Sequence, residues 1–179
     1  EKLVAWAKTY EVGVVSDLAY GALGYQGYEN PSFLSTPGAK DVGIEFYTFS
    51  KTFNMAGWRL AFAAGNDQMI EALNLIQDHL FVGIFPALQE AGIAALLDPK
   101  SEEAVAQLNA TYDSRRDAFV QAVAKIGWKA FPSKGSFYAW MPVPEGYTSE
   151  SFADLLLEKV HVAVAPGKGF GPAGDAYVR

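Results

Sequence analysis

Two apolar runs separated by a short cationic interval constrain this chain more than any other feature. Ile44-Glu45-Phe46-Tyr47-Thr48-Phe49 ends on Ser50-Lys51, Arg59 follows eight residues later, and Leu60-Ala61-Phe62-Ala63-Ala64 returns to apolar character. Short, nearly continuous apolar runs closed by turn residues are the pattern of strands buried on both faces, and such strands belong to α/β sheets. Open α/β sheets gather their ligands at strand ends. A lysine and an arginine set between two core segments therefore bear on chemistry as well as on fold.

The remaining segments extend this reading. Lys2–Tyr10 has helical spacing, and Glu11–Ser16 reads as a short buried strand that delivers Asp17-Leu18-Ala19-Tyr20 at its end. Residues 21–38 are rich in Gly, Pro and Tyr, which is loop chemistry. Val42–Phe49 and Trp58–Ala64 are expected strands. Helices are expected from Asp67, as cap, to about Leu80, over Pro86–Leu97, and from Ser101 to about Ile126 with Gly127 as the stop. Lys129–Pro132, Ser136–Met141, His161–Ala165 and Tyr177–Arg179 are expected strands, with a helix capped by Ser149 or Ser151 running to Val160. The fold class is α/β. Residues 1–100 are expected to form part of a larger layered domain, and 101–179 a connecting helix with a smaller α+β domain. Both ends read as cut, which is the expectation for a fragment of a longer protein.

Composition excludes several functions. With 14 Lys and Arg against 20 Asp and Glu, the net charge is −6 and no basic block occurs. Nucleic acid and anionic membranes are thereby disfavoured as partners. The chain has no cysteine, which removes disulfides, thiol catalysis and cysteine-ligated metals and fits a cytoplasmic protein. No apolar run approaches the roughly 20 residues of a membrane span.

Asp17, Tyr20 and Lys51 each lie at the end of an expected strand. A lysine near other positive charge can lose its proton and attack an aldehyde, forming a Schiff base. Of four arginines, Arg115 and Arg116 lie in the long polar helix and are expected to be solvated, whereas Arg59 and Arg179 flank apolar sequence. A phosphate or a carboxylate would suit the planar fork of an arginine so placed.

Thr48-Phe49-Ser50-Lys51 followed by Gly57-Trp58-Arg59-Leu60-Ala61 resembles the lysine signature of the class I/II aminotransferases, enzymes of fold type I that use pyridoxal 5′-phosphate (PLP). Ser16-Asp17-Leu18-Ala19-Tyr20 is similar to the family's Asp-x-x-Tyr element. Pro166-Gly167-Lys168-Gly169-Phe170-Gly171 with Tyr177-Val178-Arg179 resembles its C-terminal element. Thr48 departs from the usual Ser or Gly but keeps the hydroxyl. The resemblance spans the chain in the right order and implies roughly the second half of such an enzyme.

The resemblance implies roles. Lys51 would hold PLP as a Schiff base and move a proton between substrate and cofactor. Asp17 would keep the pyridine nitrogen protonated, making the ring an electron sink, and Tyr20 would hydrogen-bond its phenolic oxygen. Arg59, Thr48 and Ser50 would bind the phosphate, and Arg179 the substrate carboxylate. The substrates would be an amino acid and a 2-oxo acid, and the enzyme a homodimer, with Leu80–Phe85 available for such a contact. A carbon–sulfur lyase of the same fold would keep Lys51, Asp17 and Arg59; a non-catalytic PLP-sensing regulatory domain would want a DNA-binding module, which this acidic sequence lacks.

Other motifs carry less. Gly169–Gly174 matches G-x-G-x-x-G, but Pro172 interrupts it and no helix opens after it, so it reads as a loop and not a dinucleotide fingerprint. His79 and His161 lack metal spacing and read as structural. Trp58, Trp128 and Trp140 read as core or interface residues. No Lys or Arg occurs between Leu60 and Pro99, so an arginine for a second substrate carboxylate is not expected from that segment. The run through Asn30-Pro31-Ser32 and Asn54–Arg59 looks most like branches acting on LL-diaminopimelate, alanine or other neutral amino acids.

Overall fold

A computed structural model describes residues 1–179, which divide into two compact units, Glu1–Asn109 and Ala110–Arg179. The first unit opens with helix α1 (Lys2–Tyr10), whose Val4 and Ala7 are buried. It continues into strand β1 (Val14–Asp17), reaches β2 (Gly43–Thr48) through a long loop, and returns as β3 (Ala61–Gly65). The sheet order is β1-β2-β3, with β1 parallel and β3 antiparallel to β2. Gly43 lets the chains approach closely: a Cβ there would lie 2.5 Å from the Val14 carbonyl oxygen and 2.7 Å from the Phe33 ring.

The alternation of side chains along strands decides which residues share a face. Asp17 pairs with Phe46, and Thr48 pairs with Ala61. Asp17, Phe46, Thr48, Ala61 and Ala63 therefore lie on one face. Ser16, Glu45, Tyr47 and Phe62 lie on the other, where the Tyr47 and Phe62 rings meet at 5.3 Å.

The short helix α2 (Phe49–Thr52) follows β2 directly. The expected strand over Trp58–Ala64 starts three residues late. Ala56–Trp58 is a 3₁₀ turn, and Arg59 is left-handed at φ 52°, which no strand residue can be. Trp58 is accordingly exposed.

Helix α3 (Asp67–Ile76) is capped by Asn66, not Asp67; the Asn66 side-chain oxygen accepts the Met69 N–H at 3.1 Å. The helix widens into a π turn over Gln77–Phe81, where His79 Nδ1 lies 2.8 Å from the Leu75 carbonyl oxygen. Val82 closes it in a left-handed conformation. Helix α4 (Pro86–Leu97) opens on Pro86, whose fixed φ and missing N–H suit the first turn. Helix α5 (Ser101–Lys125) runs 25 residues, and the division between the units falls within it.

The second unit builds its own core from Val123, Met141, Phe152 and Val178, with Trp128, Val143 and Leu156 packed around them. Trp128 donates its indole N–H to the Pro142 carbonyl at 2.7 Å. Strand structure here is sparser than the sequence suggests. Only β4 (Met141–Pro142) and β5 (Tyr177–Val178) form, as an antiparallel pair. Lys129–Pro132 and Ser136–Trp140 are irregular, because Pro132 lacks a ladder donor and Ser136 takes φ 65°. His161 is not a strand start. It takes φ 57° as the C-cap of helix α6 (Ser149–Val160), and only Ala165 exchanges two backbone hydrogen bonds, with Arg179.

Thr148, not Ser149 or Ser151, caps α6, in a reciprocal pair with Ser151. Ser149 is instead fully buried and binds Asp175 through its hydroxyl and backbone N–H, which hold that carboxyl below its ordinary value. Lys168 pairs with Glu150 at 2.7 Å, and that hydrogen bond raises its pKa. The Gly167–Ala176 loop is thus pinned to the start of α6. No helix in the molecule is long and apolar enough to cross a membrane.

In the first unit, α4 covers the α2 segment through Gly92. A Cβ there would lie 2.7 Å from Leu60 Cδ2 and 3.3 Å from Phe49 Cζ. Replacing Gly92 with leucine is expected to destabilise the protein by ~1–3 kcal/mol through overpacking, read as a lowered denaturation midpoint. An unchanged midpoint would mean that α4 does not pack here.

Candidate active site

Lys51 is reached through a chain of local necessities. β2 ends at Thr48, whose extended backbone and side-chain oxygen make it the N-cap of α2 by accepting the Ser50 N–H at 3.2 Å. The Phe49 N–H then donates to the Leu60 carbonyl at 3.2 Å, tying the exit from β2 to the entrance of β3. Phe49, Ser50, Thr52 and Leu60 are buried, while Lys51 is half-buried. One residue of this turn therefore projects an amine, and its neighbours anchor it. Thr52 adds to this by donating to the Tyr47 hydroxyl at 2.9 Å.

The structure brings several of the expected site residues together. Lys51 Nζ lies 5.9 Å from the centre of the Tyr20 ring. Thr48 Oγ1 lies 3.0 Å from Ser50 Oγ, so two hydroxyls share one spot at the hairpin end. Asp17, the last residue of β1, occupies the same sheet face as Thr48, and its Oδ1 accepts the Ala19 N–H at 3.2 Å. Arg59 lies two residues before Ala61, the partner of Thr48, so hydroxyls and guanidinium leave the same end of the hairpin. It is exposed, and its Nη1 donates to the Ala56 carbonyl at 3.0 Å.

Arg179 belongs to the second unit. There its guanidinium stacks between Tyr138, at 4.1 Å, and Phe170, at 4.4 Å. Trp140 stacks on Tyr177 at 5.3 Å beside them. Arg116, expected to be solvated, is in fact tucked in. It pairs with Asp113 and Asp117 and donates to the Ser133 carbonyl at 3.0 Å. A lone sequence could not reveal this, because Asp113 and Asp117 look like ordinary helix-surface charges.

Sequence reasoning missed Glu45, and it named Asn30 only as part of the run Asn30-Pro31-Ser32. Glu45 is 7% exposed, although it sits in the middle of β2. Its oxygens accept from Ser16 Oγ at 2.9 Å, Ser32 Oγ at 2.7 Å and Phe33 N at 2.7 Å. The available signal was a single charge inside an otherwise apolar strand.

The family profile of aminotransferase class I and II matches residues 1–179, and the chain belongs to that family. Over its whole length it is 57% identical to the L-glutamine–4-(methylsulfanyl)-2-oxobutanoate aminotransferase of Bacillus subtilis, of which it covers 44%. It is 46% identical to the LL-diaminopimelate aminotransferase of Moorella thermoacetica, of which it covers 45%. Among solved structures, substrate-bound BacF from Bacillus subtilis superposes with a TM-score of 0.94 at 46% identity. That match covers 99% of this chain and 45% of BacF. The chain thus spans under half the length of these relatives, and its fold is that of a part of a fold type I aminotransferase.

The cap of α2 is directly testable. Thr48→Ala removes the oxygen that accepts the Ser50 N–H and is expected to cost ~1 kcal/mol, with Thr48→Ser recovering most of it. Chemical denaturation measures this, and equal midpoints for the alanine and serine proteins would contradict the capping role.

Proposed function

We propose that this chain is the lysine-bearing part of a PLP-dependent aminotransferase that moves an amino group between an amino acid and a 2-oxo acid. The observation that carries this reading is the placement of Lys51 beside the Tyr20 ring at the hairpin end, with Asp17 and Thr48 on one sheet face. The donor set fits such a cofactor. It offers an amine for an aldehyde, a carboxylate for a ring N–H, a phenol for an oxyanion, and two hydroxyls with a guanidinium for a phosphate.

PLP, when bound, supplies an aldehyde for imine exchange and a ring that takes up the electron pair left when the substrate Cα loses its proton. The chain's residues do the rest. Lys51 Nζ would hold the aldehyde and, as a free amine, would take the proton from the substrate Cα. Asp17 would hold the proton on the ring nitrogen, and Tyr20 would donate to the phenolic oxygen. Thr48, Ser50 and Arg59 would bind the phosphate. Arg179 takes the substrate carboxylate; Tyr138 and Phe170, stacked on it, keep its fork oriented.

The donor is LL-diaminopimelate, alanine or another amino acid without net side-chain charge. The absence of Lys and Arg between Leu60 and Pro99 leaves that segment without an arginine for an aspartate-type side chain. The proposal includes a cytoplasmic homodimer. Leu80, Phe81, Val82 and Phe85 are all more than 60% exposed, a patch suited to a subunit contact.

In the intact protein loaded with PLP, transfer of ¹⁵N from a labelled neutral amino acid to a 2-oxo acid is expected. Lys51→Ala should abolish it. Release of labelled ammonia instead of transfer would favour a lyase, and full activity in Lys51→Ala would remove Lys51 from the chemistry.

A further inference from the structure

Glu45 accepts three hydrogen bonds from two different segments, and both segments lead to residues assigned to the cofactor. It lies on the sheet face opposite Asp17 and Thr48, so it does not line the site itself. Ser16, which donates to it at 2.9 Å, is the residue before Asp17. Ser32 Oγ and Phe33 N–H, each at 2.7 Å, belong to a short strap over residues 30–33. The Phe33 ring fills the space above Gly43, where no Cβ would fit.

The other end of the strap is Asn30. Its side-chain amide nitrogen lies 3.1 Å from the Tyr20 carbonyl oxygen, 3.3 Å from that of Gly21 and 2.9 Å from that of Leu23. Other contacts hold the same loop: Leu18 N–H donates to Phe46 O, tight turns follow at Gly21 and Leu23, Asn109 donates to the Ala22 carbonyl at 2.8 Å, and Leu23 and Tyr25 are buried. The strap is tied to this loop through three carbonyls at Asn30 and to β2 through Glu45, so it couples the two.

The chemistry of the acceptor matters. Two hydroxyls and one N–H converge on Glu45, and a carboxylate is the side chain that can accept from all three at once. A buried carboxylate is not chosen for stability alone, because an apolar residue of similar volume often serves a strand as well or better. A group that holds two chain segments in one register is a better account of its presence.

We propose that Glu45 is a positioning residue. It acts through Ser16 on Asp17, and through Ser32, Phe33 and Asn30 on Tyr20, so that one buried carboxylate sets both groups that tune the cofactor ring. This rests on the cofactor roles proposed above for Asp17 and Tyr20.

The test uses the intact PLP-loaded protein and the variants Glu45→Ala, Glu45→Gln and Asn30→Ala. The readouts are the pH midpoint of the lysine-bound cofactor's absorbance, kcat and KM for the amino acid, and the thermal midpoint. Glu45→Ala is expected to move the absorbance midpoint by about half a unit or more. It should also lower kcat about tenfold or more, as when a group orienting a functional residue from behind is lost, with KM changed less than kcat. Glu45→Gln should recover part of both effects. Asn30→Ala, which leaves the β1–β2 contact intact, should shift the absorbance midpoint through Tyr20 alone and carries the test if Glu45→Ala does not fold. A lowered thermal midpoint with wild-type absorbance and kcat would reduce Glu45 to a structural residue and overturn the proposal. A wild-type protein without a titrating, lysine-linked chromophore would instead overturn the cofactor reading beneath it.

Discussion

The Leu60 carbonyl oxygen holds the hairpin end together. It accepts the Phe49 N–H at 3.2 Å and lies 3.3 Å from the Thr48 hydroxyl. That one atom closes the β2–β3 pair where the chain leaves the sheet. Because Phe49 and Leu60 are also buried, under α4 at Gly92, the turn between them cannot drift. Lys51 and Arg59 sit on opposite arms of that closure. Their separation is fixed by backbone pairing and apolar packing and needs no contact between them. A basic pair in apolar sequence is tolerable on these terms, since Phe49 and Leu60 are buried beside it and the hairpin end releases the charges.

The two faces of the small sheet divide the labour. One carries Asp17 and Thr48, the groups proposed to face the cofactor. The other carries Ser16 and Glu45, joined by a hydrogen bond of 2.9 Å. Period-two alternation makes this division possible with adjacent residues, because Ser16 and Asp17 necessarily point to opposite sides. The second unit, with its own core around Phe152 and Val178, holds Arg179 by ring stacking instead of by ion pairing.

Much of this was legible in the sequence, for physical reasons. Apolar runs that stop on Ser-Lys or Gly-Asn mark strands, so β1, β2 and β3 were readable as elements; their expected burial holds only for the first half of β2, since Val15 and Phe62 are exposed, and β1 starts at Val14 because Glu11 is left-handed. Membership in the aminotransferase family followed from the same residues. Caps were misplaced, by one residue at Asn66 and by one or three at Thr148, because Asn and Asp, or Thr and Ser, have similar capping chemistry and only backbone geometry separates them. The aromatic-rich run Ser136–Trp140 has strand composition, yet the left-handed Ser136 breaks it. Glu45 escaped notice because its meaning lies in Ser16 and Ser32, 29 and 13 residues away. A long-range convergence of donors leaves no local trace.

The central claim is that Lys51 is the amine that bonds the cofactor. Its most direct test is borohydride reduction of the intact protein after incubation with PLP, followed by peptide mass mapping. The account predicts one reduced PLP increment, on the peptide carrying Lys51. An increment on another lysine, or none in an intact protein that turns over amino acids, would contradict it.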